Sequence, residues 1–412
     1  MTVSEMNGYR ISKKEEENRR GVINALLMLL FFTSTDTVLF GTNANFTFLY
    51  VPRIVGLLLV VLFPLLLSKG RAGANGQFTL CGVLVLIMTV SGIANRAEIG
   101  TLLSRIIAVL AAYSIAEHCT LEEFAAVFCK FVYIVSWVAI VMEVLAYVLP
   151  GVIYAMPSIV NTAGYPHATC FFGSISIYNI SKLLIRANGV FWEPGAFAVY
   201  LNLALFFRLF VLKAQRTSQL LVYLAALIIT FSTAGYICFA FLMIVYILFF
   251  NPGRVNSKPK RVMALLSLVA VIVVFASPEI TTLLFGKLLN QENTTMVRWY
   301  SLVGGFQVAA AAPIIGIFSN NIRGAMREYA TASGGMLTNT WTYQFAGYGF
   351  PFGILFTWFS YKFFTKFGFK KIVAILLFVF LLLSYVGEMF YSYLPFIFVF
   401  YGLRKSNESC AN

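Results

Sequence analysis

One aspartate, Asp36, and two histidines, His118 and His167, are all that 412 residues contain of those two types. That scarcity excludes a DxD metal–nucleotide pair, an HExxH helix and a His/Cys metal cluster. No GxGxxG or GxxxxGK[ST] run occurs either, so a site for a nucleotide, whether sugar donor or ATP, has no support. No metal and no other cofactor is expected. The six cysteines (Cys81, Cys119, Cys129, Cys170, Cys238, Cys410) form no CxxC, and most lie in apolar segments, where a thiol behaves as a small hydrophobe. Internal repeats and low-complexity stretches are missing as well, and charge is scarce at 11% of residues.

What fills the chain is apolar side chains: 60% of residues are hydrophobic, 16% aromatic, and the mean hydropathy is +0.83. Runs such as 55–67, 263–275 and 372–383 are of membrane grade. The expected fold class is an all-α polytopic membrane protein forming a single membrane domain over 1–412. Spans are expected at roughly 22–40, 49–68, 78–95, 100–117, 124–149, 194–212, 219–233, 235–251, 262–283, 341–361, 372–388 and 391–403, about twelve in all, each near the length that crosses a bilayer. The first apolar run lacks a small-residue cleavage site and is followed by many others, which reads as an uncleaved helix after a cytoplasmic tail over 1–21.

A formal net charge of +14 could suggest nucleic acid. The basic residues instead come in short clusters between apolar spans: Arg10 to Arg20, Lys69/Arg71, Lys213/Arg216, Arg254 to Arg261, Lys362 to Lys371 and Arg404/Lys405. That is the positive-inside pattern, and an even number of spans between clusters sets all of them, and both termini, on the cytoplasmic side. No nucleic-acid partner is implied. Two long segments, 150–193 and 286–340, are left on the outer face, and long connections tend to be functional.

Those outer segments carry Arg186, Arg298, Arg323 and Arg327, with Lys182 and Lys287 nearby. Positive-inside bias should deplete this face of arginine. A guanidinium pairs bidentately with phosphate oxygens without a metal, which would suit a pyrophosphate on a lipid carrier; the plainer role is local pairing with glutamates or snorkelling to headgroups. Glu193 precedes Pro194 where a polar loop gives way to an apolar helix. A carboxylate there complements the helix dipole, and burial beside Phe191 and Trp192 would raise its pKa toward general-base range. An ionisable residue near hydrocarbon costs about 2.5–3.5 kcal/mol on insertion scales, so it persists where it has a partner, a wet cavity or a task. His167 is an alternative base or simply a solvated loop residue. Tyr165, Trp192, Trp299, Tyr300 and Trp341 could stack on sugar rings, although tyrosine and tryptophan are enriched at membrane interfaces regardless. Asp36, Arg53 and Arg105 fall in or near spans, either lining a cavity or fixing helix packing.

The pattern Arg-x-x-Gly-x-Phe-x-Glu-Pro-Gly-x-Phe-Ala over 186–198 resembles the signature of bacterial O-antigen and capsule repeat-unit polymerases, the Wzy-type group. Phe231-Ser232-Thr233-Ala234-Gly235 resembles the break between two family spans, although an arginine often found after the serine is absent. Arg298 followed by Ala312-Pro313-Ile314-Ile315-Gly316 resembles the arginine and Pro-x-x-Gly turn of the second outer loop. The segment 339–353 resembles the approach to the next span, where related O-antigen ligases usually carry a histidine; none stands here, which favours polymerase over ligase.

The resemblance implies a membrane-embedded, GT-C-like glycosyltransferase of the bacterial cytoplasmic (inner) membrane with its site facing outward. Its donor and acceptor would both be undecaprenyl-pyrophosphate-linked oligosaccharides, the growing chain passing from its pyrophosphate onto a new unit with inversion and without metal. Arg186, Arg298 and Arg323 would then hold pyrophosphate, and Glu193 would act on the acceptor hydroxyl. His167, Tyr165, Trp192, Arg327, Trp299 and Tyr300 become candidate substrate contacts, with membrane lipid and a chain-length-regulating membrane protein as further partners. The alternatives are an O-antigen ligase acting on a lipid A-core acceptor and a lipid-linked oligosaccharide flippase; the latter commonly shows internal repeats and interrupted helices near the midplane, neither of which is found.

Overall fold

The computed structural model describes residues 3–67, 75–162, 164–170, 172–180, 185–213, 217–249, 294–329, 337–367 and 370–404. The span expected at 262–283, Lys182 and Lys287 lie outside the described residues. The chain is helical, with one small sheet among the described residues.

Helix α1 (Val3–Phe32) stops where Thr33, Ser34, Thr35, Asp36 and Thr37 begin. Short polar side chains compete with helical bonding: Thr33 Oγ1 bonds the Leu29 carbonyl at 2.8 Å, and Thr37 Oγ1 that of Ser34 at 2.8 Å. Thr37 then caps the short α2 (Val38–Gly41), so the expected 22–40 run is broken after Phe32. Helices α3 (Val51–Leu67), α4 (Asn75–Ala94), α5 (Ile99–His118) and α6 (Leu121–Val148) follow. Thr120 and Glu123 form a reciprocal capping box that starts α6.

The first expected outer loop holds α7 (Pro150–Tyr154), an antiparallel sheet of β1 (Ser158–Val160), β2 (Pro166–Cys170) and β3 (Gly173–Ser176), and α8 (Ile177–Ile180). Helix α9 (Pro194–Phe206) continues through a π turn (Phe207–Val211), followed by α10 (Thr217–Ile229) and α11 (Thr233–Phe249). The second expected outer loop contains helices α12 (Thr294–Ala311) and α13 (Phe318–Tyr329). Helices α14 (Thr340–Thr365), α15 (Lys371–Tyr385) and α16 (Leu394–Leu403) complete the chain.

Five described stretches are long and apolar enough to cross a bilayer: Thr47–Leu66, Gly76–Ala94, Ile99–His118, Leu121–Val148 and Pro194–Val211. Their outward side chains, such as Leu57, Leu65, Leu86 and Ile93, are large and apolar. A face of that kind suits lipid rather than water, and the protein is a membrane-embedded helical protein.

Helix α9 is apolar all round, as a helix enclosed on every side must be, and every one of its residues is buried. It packs against α6, α10, α11 and α15. Its first turn, headed by Glu193, therefore opens at the centre of the helix assembly rather than at its rim. Aromatic rings fill much of the surrounding core, with Phe31 meeting Phe124, Phe128 and Phe131 at centroid distances of 5.5–5.6 Å.

Candidate functional site

Glu193 is the residue before α9, in extended conformation, and its carboxylate makes no capping bond to the helix it precedes. Pro194 supplies the next position without an N–H, which suits a helix start. The carboxyl turns instead toward Glu388, whose Oε1 lies with it beside Gly195. Gly195 makes this possible, since a Cβ there would overlap Glu388 Oε1 and come within 3.2 Å of Glu193 Oε1.

Glu388 arrives from the connection 386–393 between α15 and α16. Helix α15 ends at Tyr385, and Gly387 follows with φ +94°, a left-handed conformation that favours glycine. The missing side chain also leaves room for Arg298, whose Nε a Cβ at Gly387 would overlap. The Glu388 carbonyl accepts from Thr340 N at 3.1 Å and Thr340 Oγ1 at 2.7 Å, which anchors the connection to the start of α14. Its side chain is 4% exposed.

Two guanidiniums face this carboxyl pair. Arg298, on α12, places Nη2 3.9 Å from Glu388 Oε1 and is 27% exposed. Arg186 lies in the stretch leading to Glu193, which is held along the break between α10 and α11: Ala187 N donates to Ile229 O at 3.0 Å and Arg186 Nε to Thr230 O at 3.1 Å. Arg186 feels Glu193, Arg298 and Glu388 together. Burial pushes its basicity below the ordinary arginine value, and the two carboxyls oppose that. Burial, then the adjacent Glu193 carboxyl, push Glu388 well above the ordinary glutamate range, with Arg298 and Arg186 pulling back.

Arg186, Glu193 and Arg298 are thus brought together from two distant segments. Trp192 borders them, half-buried against Phe390 at 5.7 Å between ring centroids. Arg323 and Arg327 stand elsewhere, exposed one turn apart on α13, with no contact to the cluster among the described residues. Trp299 is mostly exposed beside Arg298, and Tyr300 is half-buried. Tyr165 is exposed at the turn before β2. His167 is buried on β2, its Nε2 facing the Asn161 amide at 3.3 Å and its Nδ1 that of Asn188 at 3.5 Å. Its position is inside the packing of the small sheet, and burial lowers its pKa below the ordinary 6.5.

The residue missed by sequence reasoning is Glu388. A lone acid next to a glycine near the end of an apolar run was the available signal. Asp36 also proves fully buried, accepting from Tyr200 Oη at 2.7 Å and from Ser392 Oγ.

No family model matches the chain, and neither a curated protein nor a solved structure is significantly similar to it.

Proposed function

We propose that this protein is a membrane glycosyltransferase that polymerises lipid-linked oligosaccharide repeat units at the outer face of a bacterial cytoplasmic membrane. On this reading about twelve spans cross the bilayer, both termini are cytoplasmic, and the segments 150–193 and 286–340 build the outer vestibule. The observation that carries it is the convergence of Arg186 and Arg298 on the Glu193–Glu388 carboxyl pair at the mouth of α9.

The acceptor hydroxyl attacks the anomeric carbon of the growing chain while the bond from that carbon to the pyrophosphate oxygen breaks, inverting the centre. The hydroxyl proton passes to Glu193, the more accessible carboxyl of the pair. The departing pyrophosphate takes the bonding electrons, and Arg186 and Arg298 face the charge that develops on it. Glu388, which burial holds well above the ordinary glutamate range, is the enclosed partner of the pair. Because the donor brings its own leaving group, the step calls for cations and a base and for no second activating molecule. Trp192 would offer its ring to a sugar face.

The test is reconstitution of the purified protein with lipid-linked repeat units, scored by gel for a ladder of lengthening products with and without chelator. A chelator-resistant ladder, abolished by Arg186→Ala and by Glu193→Ala in protein that still folds, is expected. Absence of a ladder, with the lipid-linked units changing leaflet in vesicles instead, would identify a flippase and refute the polymerase reading.

A further inference from the structure

Asp36, the one aspartate of the chain, is completely buried and is not a member of the carboxyl pair. An ionisable side chain enclosed in an apolar interior persists where it has a partner or a task. Its partners come from two elements far apart in sequence, and each of those elements carries one member of the pair.

The first element is α9. Tyr200 lies seven positions on from Glu193, about two turns down the helix, and its Oη donates to Asp36 Oδ2 at 2.7 Å. Its ring is enclosed by others, with centroids 4.2 Å from Phe191 and 5.5 Å from Phe128. The second element is the 386–393 connection. Ser392, four positions on from Glu388, donates through Oγ to the same Oδ2, and that Oγ also accepts from Leu394 N at 3.2 Å. One carboxyl oxygen therefore joins the helix headed by Glu193 to the connection that presents Glu388.

The segment bearing Asp36 also grips the approach to Glu193. Val38 N donates to Val190 O at 2.8 Å, and Thr37 bridges Phe191. The segment is held in shape by its own hydroxyls, Asp36 N donating to Ser34 Oγ at 3.2 Å and Thr37 Oγ1 to Ser34 O at 2.8 Å. It is a common base under both carboxyl-bearing pieces.

Further hydrogen bonds of the connection lead away from α9. The Glu388 carbonyl and Phe390 N both meet Thr340 on α14, the latter at 2.8 Å, and the Tyr391 carbonyl accepts from Arg105 Nη1 on α5 at 3.3 Å. Toward α9 the connection has ring contacts, Phe390 meeting Trp192 at 5.7 Å and Tyr200 at 6.0 Å between centroids. Apolar contact is less directional than a hydrogen bond, so register between the two pieces falls to Asp36.

We propose that Asp36 is a positioning residue: bonded at once to Tyr200 and Ser392, it locks the 386–393 connection onto α9 and so sets the spacing of Glu193 and Glu388. It touches no reacting atom; resting on the polymerase reading, its effect on chain growth comes through the carboxyl pair.

The experiment couples the ladder assay to hydrogen exchange read by mass spectrometry on the same reconstituted full chain. Tyr200→Phe removes one donor, and Ser392→Ala removes the other together with its bond to Leu394. Each is expected to speed exchange in 386–393 by about fivefold while α10 exchanges as before. Each should also lower kcat per folded protein, on the order of 10²-fold, with KM for the lipid-linked units unchanged. Because the two bonds act in series, the double variant should be no slower than the slower single one. Asp36→Asn keeps an oxygen in the place of Oδ2 and should restore most of the rate that Asp36→Ala loses, which a general loss of stability would not do.

Unchanged exchange and kcat in Tyr200→Phe and Ser392→Ala, both of which leave Asp36 itself intact, overturn the proposal. Multiplying losses in the double variant overturn it too, as does an Asp36→Asn as slow as Asp36→Ala, which would place the effect in the charge. Should the variants loosen 386–393 while the wild type forms no ladder, the polymerase reading fails and the lock stands; a wild-type ladder that the variants leave untouched removes the lock and leaves the polymerase.

Discussion

Arg298 Nη2 lies 3.9 Å from Glu388 Oε1, beyond a direct hydrogen bond and within reach of an ion pair. A guanidinium at that distance is aligned with the carboxyl pair without being consumed by it. It can neutralise a carboxylate at rest and turn to an anion when one binds.

The first prediction concerns the proton on that pair. Glu388 is pushed above the ordinary glutamate value of 4.5, so the folded protein binds more protons there than the unfolded chain. Its contribution to stability is therefore least unfavourable at acid pH and becomes more unfavourable as pH rises from about 4.5 toward the folded pKa, by about 1.4 kcal/mol per unit of elevation. Glu388→Gln, which keeps the shape and cannot ionise, should flatten that slope in thermal unfolding followed across pH. An unchanged slope would mean that Glu388 is ionised in the fold.

Gly195→Ala should fold and fail to turn over. Alanine favours the helix interior, yet its methyl would overlap Glu388 Oε1 and push the carboxyls apart. Displacing a reacting group by about 1 Å costs on the order of 10²-fold in rate. The ladder assay, with circular dichroism on the same sample, separates a lost site from a lost fold.

His167→Ala should destabilise the 150–193 segment rather than alter the proposed chemical step. Removing the ring empties a buried space beside the Asn161 and Asn188 amides, at a cost of about 0.5–3 kcal/mol. Burial holds His167 neutral below its ordinary 6.5, so its share of stability is present above that pH and is lost as pH falls through the folded pKa. Limited proteolysis of the 150–193 segment at falling pH would report it. A kcat loss without altered proteolysis would contradict this placement.

Asn339 caps α14, its Oδ1 accepting from Trp341 N at 2.9 Å and Thr342 N at 3.1 Å. Asn339→Ala should cost about 1 kcal/mol and Asn339→Asp almost none. Because Thr340 holds the Glu388 carbonyl, the alanine variant should also lose activity beyond what its shift in Tm explains. Equal activity at equal folded fraction would show that the cap serves the helix alone.

Much of this was legible because charge is rare. Arg186, Glu193 and Arg298 stand out in an apolar chain, and the structure brings the three together. Glu388 was hidden because the run from Ile372 reads as one span to residue 388, whereas the helix ends at Tyr385 and Gly387 turns the chain inward. A reversal of that kind depends on φ at a single residue, which hydropathy does not register. Arg323 and Arg327 were visible as cations, but their spacing of four places them on one exposed face of α13; which way a face turns depends on packing with distant segments. The break after Phe32 was readable in principle, since five short polar residues in succession disfavour a helix.

The turn over 312–316 has a consequence for traffic through the protein. It is seated in the kink of α14, where Gly349 departs from helical geometry at φ +85°, Phe350 N donates to Pro313 O at 2.7 Å and Ile317 N to Ala346 O at 2.8 Å. Asn95, in the turn just after α4, reaches the Gly316 carbonyl through Nδ2 at 3.1 Å. The far end of the helix bearing Arg298 is thereby pinned like a strut, not hung like a flap. On the polymerase reading, the growing polymer would then leave sideways between standing walls rather than under a lifting cover.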